Sequence, residues 1–155
     1  MTLVERLLWL ANELATHDAN SSTVRRRAVS TAYYAMFHAF ANVCACEFLD
    51  ADAITMGSLE FEQVYRQLDH GSLKTVFATE PLRSIPALRQ IGGEVVRLQS
   101  ERNRSDYLPQ RALYSESECL RLVRSAESAV KMIGALSRES RRVLAINLLF
   151  KKRPT

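Results

Sequence analysis

From Thr23 to Leu49 the chain contains neither glycine nor proline. After a basic start, Arg25-Arg26-Arg27, it is apolar around nearly its whole circumference. A helix that is hydrophobic on every side must be packed by neighbours on several sides. The rest of the chain therefore has to supply those neighbours. At 155 residues the length suits one domain with a single substantial core. No strand-like alternation and no internal repeat is visible, so the expected fold is all-α, a four-to-five-helix antiparallel bundle.

Helix signals place the neighbours. Thr2-Leu3-Val4-Glu5 reads as a capping box, followed by one stripe of Val4, Leu7, Leu8, Ala11 and Leu14. His17 to Ser22 reads as a loop ending in an N-cap serine. After Leu49, Asp50 to Ser58 is expected to be a loop, and Leu59 to about Leu68 a shorter helix. Asp69-His70-Gly71 reads as the end of that helix. Leu73 to Phe77 forms a further turn before Pro81 and Pro86 break the chain. Helical pattern returns from about Leu88 to Tyr107, weakened at Gly92-Gly93 and stopped by Pro109. Ser115-Glu116-Ser117-Glu118 is a second capping box. It opens an amphipathic helix with Cys119, Leu122, Val123, Ala126, Ala129, Val130, Ile133 and Leu136 on its apolar face. The whole span 1–155 is expected to be one helical domain, with a basic helical extension at about 138–155. That extension is read as docking on its own bundle or on a dimer mate, in preference to RNA or a membrane surface.

The charge balance, +4 with a pI near 9.2, permits an anionic partner without requiring one. Cys44, Cys46 and Cys119 are odd in number and lack framework spacing, so they read as free thiols in a reducing compartment. Neither a metal site nor a cofactor motif is expected. No stretch approaches the length of a membrane span, and the apolar run near Trp9 is interrupted by Asn12 and Glu13. The expected location is cytoplasmic, with no membrane partner.

Two groups of residues invite chemistry. Ile91, Val95, Leu98 and Arg102 share one helix face, so an apolar stripe ends in a cation. Such a cation costs desolvation unless a negative group meets it. Asp106, one turn on, meets it within the helix; a phosphate also matches the guanidinium fork. On the long helix, Arg27, Ser30, Tyr34 and His38 form one polar line on an apolar rod, and four such groups need partners. For Arg25-Arg26-Arg27, a solvated basic end and a phosphate contact are equally open.

The run from Arg27 to Ala39, with Ser30, Tyr33, Tyr34, Phe37 and His38, resembles the signature helix of the HEPN superfamily, helical domains of prokaryotic and eukaryotic nucleotide-binding proteins. Arg102-x-x-x-Asp106-Tyr107 looks like the arginine motif on a later helix of that family, and Leu68 to Lys74 like its middle segment. The similarity spans roughly Leu7 to Leu136. It implies a bundle that usually forms a homodimer, with the arginine motif near the dimer groove. Many members are metal-independent ribonucleases, often the toxin of a toxin-antitoxin pair whose other half is a small nucleotidyltransferase.

The ribonuclease motif is Arg, a polar residue, a short spacer and His. Arg102 and Asn103 match the first two positions, but Tyr107 stands where the histidine is expected. Histidine suits removal of the 2′-OH proton because it titrates near neutrality; tyrosine ordinarily titrates near 10. The Asp-Tyr ending resembles the subgroup that often lacks the full motif. The expectation is therefore a module that binds nucleotide or RNA phosphate, working with a nucleotidyltransferase-type partner. Arg102 would hold the phosphate and Asp106 would orient Arg102. Asn103, Ser30, Tyr34 and Tyr107 would line the groove, with Arg27 at its mouth. The alternative is an endoribonuclease using Arg102, Tyr107 and a histidine such as His38 or His70. The second alternative is a structural docking bundle.

Overall fold

The structure is a computed structural model that describes residues 1–17, 21–50, 57–110 and 112–150. Among these residues all regular structure is helical. Seven α-helices follow in order: α1 (Leu3–Ala15), α2 (Ser22–Leu49), α3 (Leu59–Tyr65), α4 (His70–Ala78), α5 (Pro86–Tyr107), α6 (Glu116–Gly134) and α7 (Arg138–Leu149). A 3-10 turn, Leu82–Ser84, precedes α5. Seven α-helices stand where four or five were expected, and α3 and α4 are the shortest, with 7 and 9 residues.

By its internal contacts the chain divides into two compact units. The first is Met1–His38 with Glu94–Lys131, and the second is Ala39–Gly93 with Met132–Thr155.

In the first unit, both expected capping boxes are present. The Thr2 N–H donates to Glu5 at 2.6 Å while Thr2 Oγ1 accepts from the Glu5 N–H. Ser115 and Glu118 exchange the same pair of bonds at 2.9 and 3.2 Å. Each box satisfies amide donors that the first helical turn would otherwise leave unpaired. The core is small-residue packing around one ring: Ala28, Val29, Ala32 and Tyr33 from α2, Val95 and Leu98 from α5, and Cys119, Val123, Ala126 and Ala129 from α6 are all fully buried. Small side chains let helix axes approach closely. Ala11 and Ala15 are the fully covered positions of α1, and Asn12 of α1 donates to Glu127 of α6.

In the second unit, Phe40, Leu73, Leu82, Leu88, Ile91, Ile133 and Leu144 make the core, and Phe40 and Phe77 pack with ring centroids 5.5 Å apart. Two expectations are corrected here. Asp69-His70-Gly71 starts a helix instead of ending one, because the Asp69 carboxylate accepts from the Ser72 N–H at 2.7 Å and caps α4. Pro86 opens α5 instead of breaking the chain, since the first helical position needs no N–H. The helix also runs straight through Gly92-Gly93. The basic segment from Arg138 forms α7, capped by Ser137, and packs on α4 with Leu144, Ala145 and Leu148 buried. Residues 151–155 of that expected extension lie outside the described residues, as does most of the expected loop after Asp50.

Candidate anion-binding site

The N-terminal half of α2 and the C-terminal end of α5 enclose a pocket of about 450 Å³ in the first unit. Its wall is Thr23, Arg26, Arg27, Ser30 and Tyr34 from α2, with Arg102, Ser105, Asp106 and Tyr107 from α5. Helical spacing explains the set: one α2 face repeats at three and four residues and meets a single turn of α5.

Arg102 is the hub. Its Nε lies 3.0 Å from Asp106 Oδ2, and the two side chains are only 15% and 19% exposed. Its Nη2 donates to Tyr34 Oη at 2.9 Å, and Nη1 donates to Asn103 Oδ1 at 3.2 Å. The guanidinium carbon sits 5.6, 5.5 and 6.0 Å from the ring centroids of Tyr33, Tyr34 and Tyr107, within cation–π range. Burial disfavours its charge, but the Tyr34 hydrogen bond and charge, with Asp106 and Tyr107, outweigh that and raise its pKa above the ordinary arginine value. The cation at the end of the apolar stripe is thus answered inside the protein, by the i,i+4 carboxylate the sequence offers.

The three arginines that open α2 divide their work. Arg25 donates to the Tyr114 carbonyl at 3.1 Å. Arg26 reaches the end of α5, donating to the carbonyls of Ser105 at 3.2 Å, Leu108 at 2.6 Å and Gln110. Carbonyls at a helix C-terminus lack intrahelical donors and attract cations. Both side chains are therefore bonded to backbone oxygens; neither is a merely solvated end. Arg27 is exposed and makes no hydrogen bond or ion pair among the described residues. Among the described residues it is the cation of the wall without a partner.

Of the residues singled out from sequence, Arg27, Ser30, Tyr34, Arg102, Asp106 and Tyr107 share this wall. Asn103 is exposed and reaches it through Arg102. His38, one turn of α2 beyond Tyr34, does not line it. Burial lowers the His38 pKa, which keeps the imidazole neutral at pH 7. His70 is the first residue of α4. Sequence reasoning assigned no role to Thr23, Tyr33 or Ser105, and left Arg26 open between a solvated basic end and a phosphate contact. Tyr33 and Arg26 adjoin assigned residues, but what brings them to the site is distant in sequence: Tyr33 meets Arg102 of α5 as well as its neighbours Tyr34 and Phe37, and Arg26 reaches Ser105 79 positions away.

No protein-family model, curated protein or solved structure matches this chain. The pocket's chemistry stands on its own geometry. Its volume suits a small ligand, and its groups suit an anion with an attached ring. Arg27 offers N–H donors with no partner among the described residues, and Arg102 a guanidinium held against Asp106. Tyr107, 73% exposed, offers an open aromatic face. The Asp106 carboxylate is neutralised by Arg102, so it does not repel an anion as a free carboxylate would. A second cleft of about 500 Å³, in the second unit, is lined by Asp69, Ser72, Asn147 and Phe150 among others. There Asp69 caps α4 and Asn147 donates to the Val143 carbonyl at 2.8 Å, so these polar side chains are already occupied in the fold.

Proposed function

We propose that the chain is a HEPN-type module whose pocket takes the phosphate of a nucleotide or of RNA, and that it works with a nucleotidyltransferase-type protein in a two-component system. The observation that supports this reading is the division of labour among the cations. Arg102 is locked between Tyr34 and Asp106, and Arg27 stands beside it on the same wall with no partner among the described residues.

In this reading Arg27 meets the phosphate first. Arg102, paired with Asp106, adds a guanidinium whose orientation is set before the ligand arrives, so little freedom is lost on binding. Tyr107 stacks on a base. Binding is favoured over cleavage because the wall holds no histidine: its titratable groups are arginines, Asp106 and two tyrosines. Proton transfer from a 2′-OH near neutral pH needs a group that titrates there.

The test is anisotropy of end-labelled single-stranded RNA and of a labelled adenine nucleotide across a salt series, in chelator, with the same samples run on gels. Saturable binding that weakens with salt, and weakens further in Arg27→Ala, supports the reading. Removing one phosphate contact should lower the salt slope by about 0.7 for a single strand. Absence of binding to either ligand overturns it, and Arg102-dependent cleavage converts it to the ribonuclease reading.

A further inference from the structure

Two adjacent arginines of α2 clasp the connection between α5 and α6. Arg25 holds its far end through the Tyr114 carbonyl. That end has a second tie, because the Tyr114 hydroxyl donates to the Glu101 carboxylate at 2.8 Å. Arg26 holds the near end through the carbonyls of Ser105, Leu108 and Gln110. Among the described residues no other side chain bonds residues 108–110. Of the two arginines, Arg26 lines the pocket and Arg25 does not.

The sequence explains why the near end needs this help. In a continuing helix the Ser105 carbonyl would accept from residue 109, but that residue is proline and has no N–H. The last helical bond at this end is Leu108 N–H to the Arg104 carbonyl, at 3.1 Å. Ser105 is only 4% exposed, so water is a poor substitute for the missing donor. Arg26 supplies it from 79 positions away, at 3.2 Å. The turn completed in this way carries Asp106 and Tyr107. Asp106 meets Arg102 at 3.0 Å through i,i+4 spacing, which exists only while that turn is helical. The Tyr107 ring lies 6.0 Å from the same guanidinium.

We infer that Arg26 is a positioning residue of the pocket. It completes the last turn of α5 and so sets Asp106, Arg102 and Tyr107 for an incoming phosphate, without touching that phosphate itself. Both N–H groups of its Nη1 and one of its Nη2 are already spent on carbonyls. The effect on a ligand rests on the phosphate reading of the pocket; the effect on α5 does not.

The test compares Arg26→Ala, Arg26→Lys, Arg25→Ala and Arg27→Ala with the wild-type chain. Anisotropy of end-labelled single-stranded RNA across a salt series gives affinity and salt slope. Amide hydrogen exchange at Leu108, without ligand, reports the last turn of α5. Arg26→Ala should speed that exchange about tenfold and weaken RNA binding about tenfold, since only the fraction with the turn formed is competent. Its salt slope should match the wild type, whereas Arg27→Ala lowers the slope by about 0.7. Arg26→Lys keeps the charge, but one ammonium cannot serve three carbonyls, so it should lose affinity as the alanine variant does. Arg25→Ala loosens the same connection outside the wall and should bind as the wild type does. A slope lowered by about 0.7 in Arg26→Ala makes Arg26 a phosphate contact and overturns the inference. Full affinity in Arg26→Lys also overturns it, as does an equal loss in Arg25→Ala. A wild type that binds no RNA removes the ligand half together with the phosphate reading. Unchanged Leu108 exchange in Arg26→Ala overturns the half that concerns α5.

Discussion

The Tyr34 hydroxyl accepts a hydrogen bond from Arg102 at 2.9 Å across 68 positions of sequence, tying α2 to α5 at the half-buried edge of the pocket. A hydroxyl acceptor on a guanidinium does two things. It stabilises a charge that burial opposes, and it fixes the direction in which that charge points.

Tyr34→Phe keeps the ring face beside Arg102 and removes only the acceptor. A hydrogen bond to a charged group is worth about 1.5–3 kcal/mol, and partial exposure of this one lets water replace some of it. Urea unfolding should therefore show a loss of about 1 kcal/mol with unchanged slope. A loss near zero would mean that Asp106 and the rings alone hold the guanidinium.

Gly92 and Gly93 are neighbours in α5 with opposite surroundings. A Cβ on Gly92 would lie 3.1 Å from both Cβ and Cδ1 of Phe77, a ring held against Phe40 in the core. A Cβ on Gly93 meets nothing within 4 Å. Gly92→Ala should destabilise by about 1–3 kcal/mol through overpacking. Gly93→Ala should stabilise by about 0.5–1 kcal/mol, since alanine loses less backbone freedom in a helix. Thermal unfolding of the two variants separates the effects by sign.

That pair also shows what could and could not be read in advance. Local rules found the helices whose signals are local, such as the Thr2/Glu5 and Ser115/Glu118 boxes and the periodic faces of α5 and α6. They misread Asp69-His70-Gly71 because aspartate favours a helix start while glycine favours a stop, and only the capping bond to Ser72 decides. The glycine pair looked like a weak point in α5, but the reason for Gly92 is Phe77, which no local pattern reveals. At the candidate site, Arg102 and Asp106 were legible as an i,i+4 pair. The α2 line of Arg27, Ser30 and Tyr34 was legible as needing partners. That Arg102 supplies Tyr34's bond and that Arg26 caps α5 are long-range facts, visible only once the helices are packed.

Stability should be lost on both sides of a plateau. Burial pushes the hydroxyls of Tyr33 and Tyr65 up to about 12 from 10.0. It pushes the thiols of Cys44 and Cys119 up to about 12 and about 11 from 9.0. The unfolded chain releases these protons first as pH rises, so their contribution is complete below pH 9 and declines from there toward 12. His38 works in the other direction. Burial lowers its pKa from 6.5, so the unfolded chain takes up the proton more readily and stability falls as pH drops below 6.5. Urea midpoints measured from pH 5 to 11 should be flat between about 6.5 and 9 and fall at each end. A midpoint that keeps rising above pH 10 would contradict the burial of these groups.

Arg27 and Arg102 stand on one wall but differ in what the fold asks of them, and this separates ligand binding from stability. Arg27 is exposed and makes no bond among the described residues, so Arg27→Ala should leave the urea midpoint unchanged within about 0.5 kcal/mol. Arg102→Ala leaves Asp106, with its side chain 19% exposed, without its cation, and removes the bond to Tyr34. The cost should be about 2 kcal/mol, between the values for exposed and fully buried pairs. If the pocket holds a phosphate, Arg27→Ala weakens nucleotide or RNA affinity with no change in stability, a combination that a purely structural role does not produce. If both variants bind as the wild type does once the fraction folded is accounted for, the arginines serve the fold alone. Arg102→Lys sharpens the comparison, because it keeps the charge and loses the fork that reaches Tyr34 and Asp106 together. It should recover part of the affinity and little of the stability.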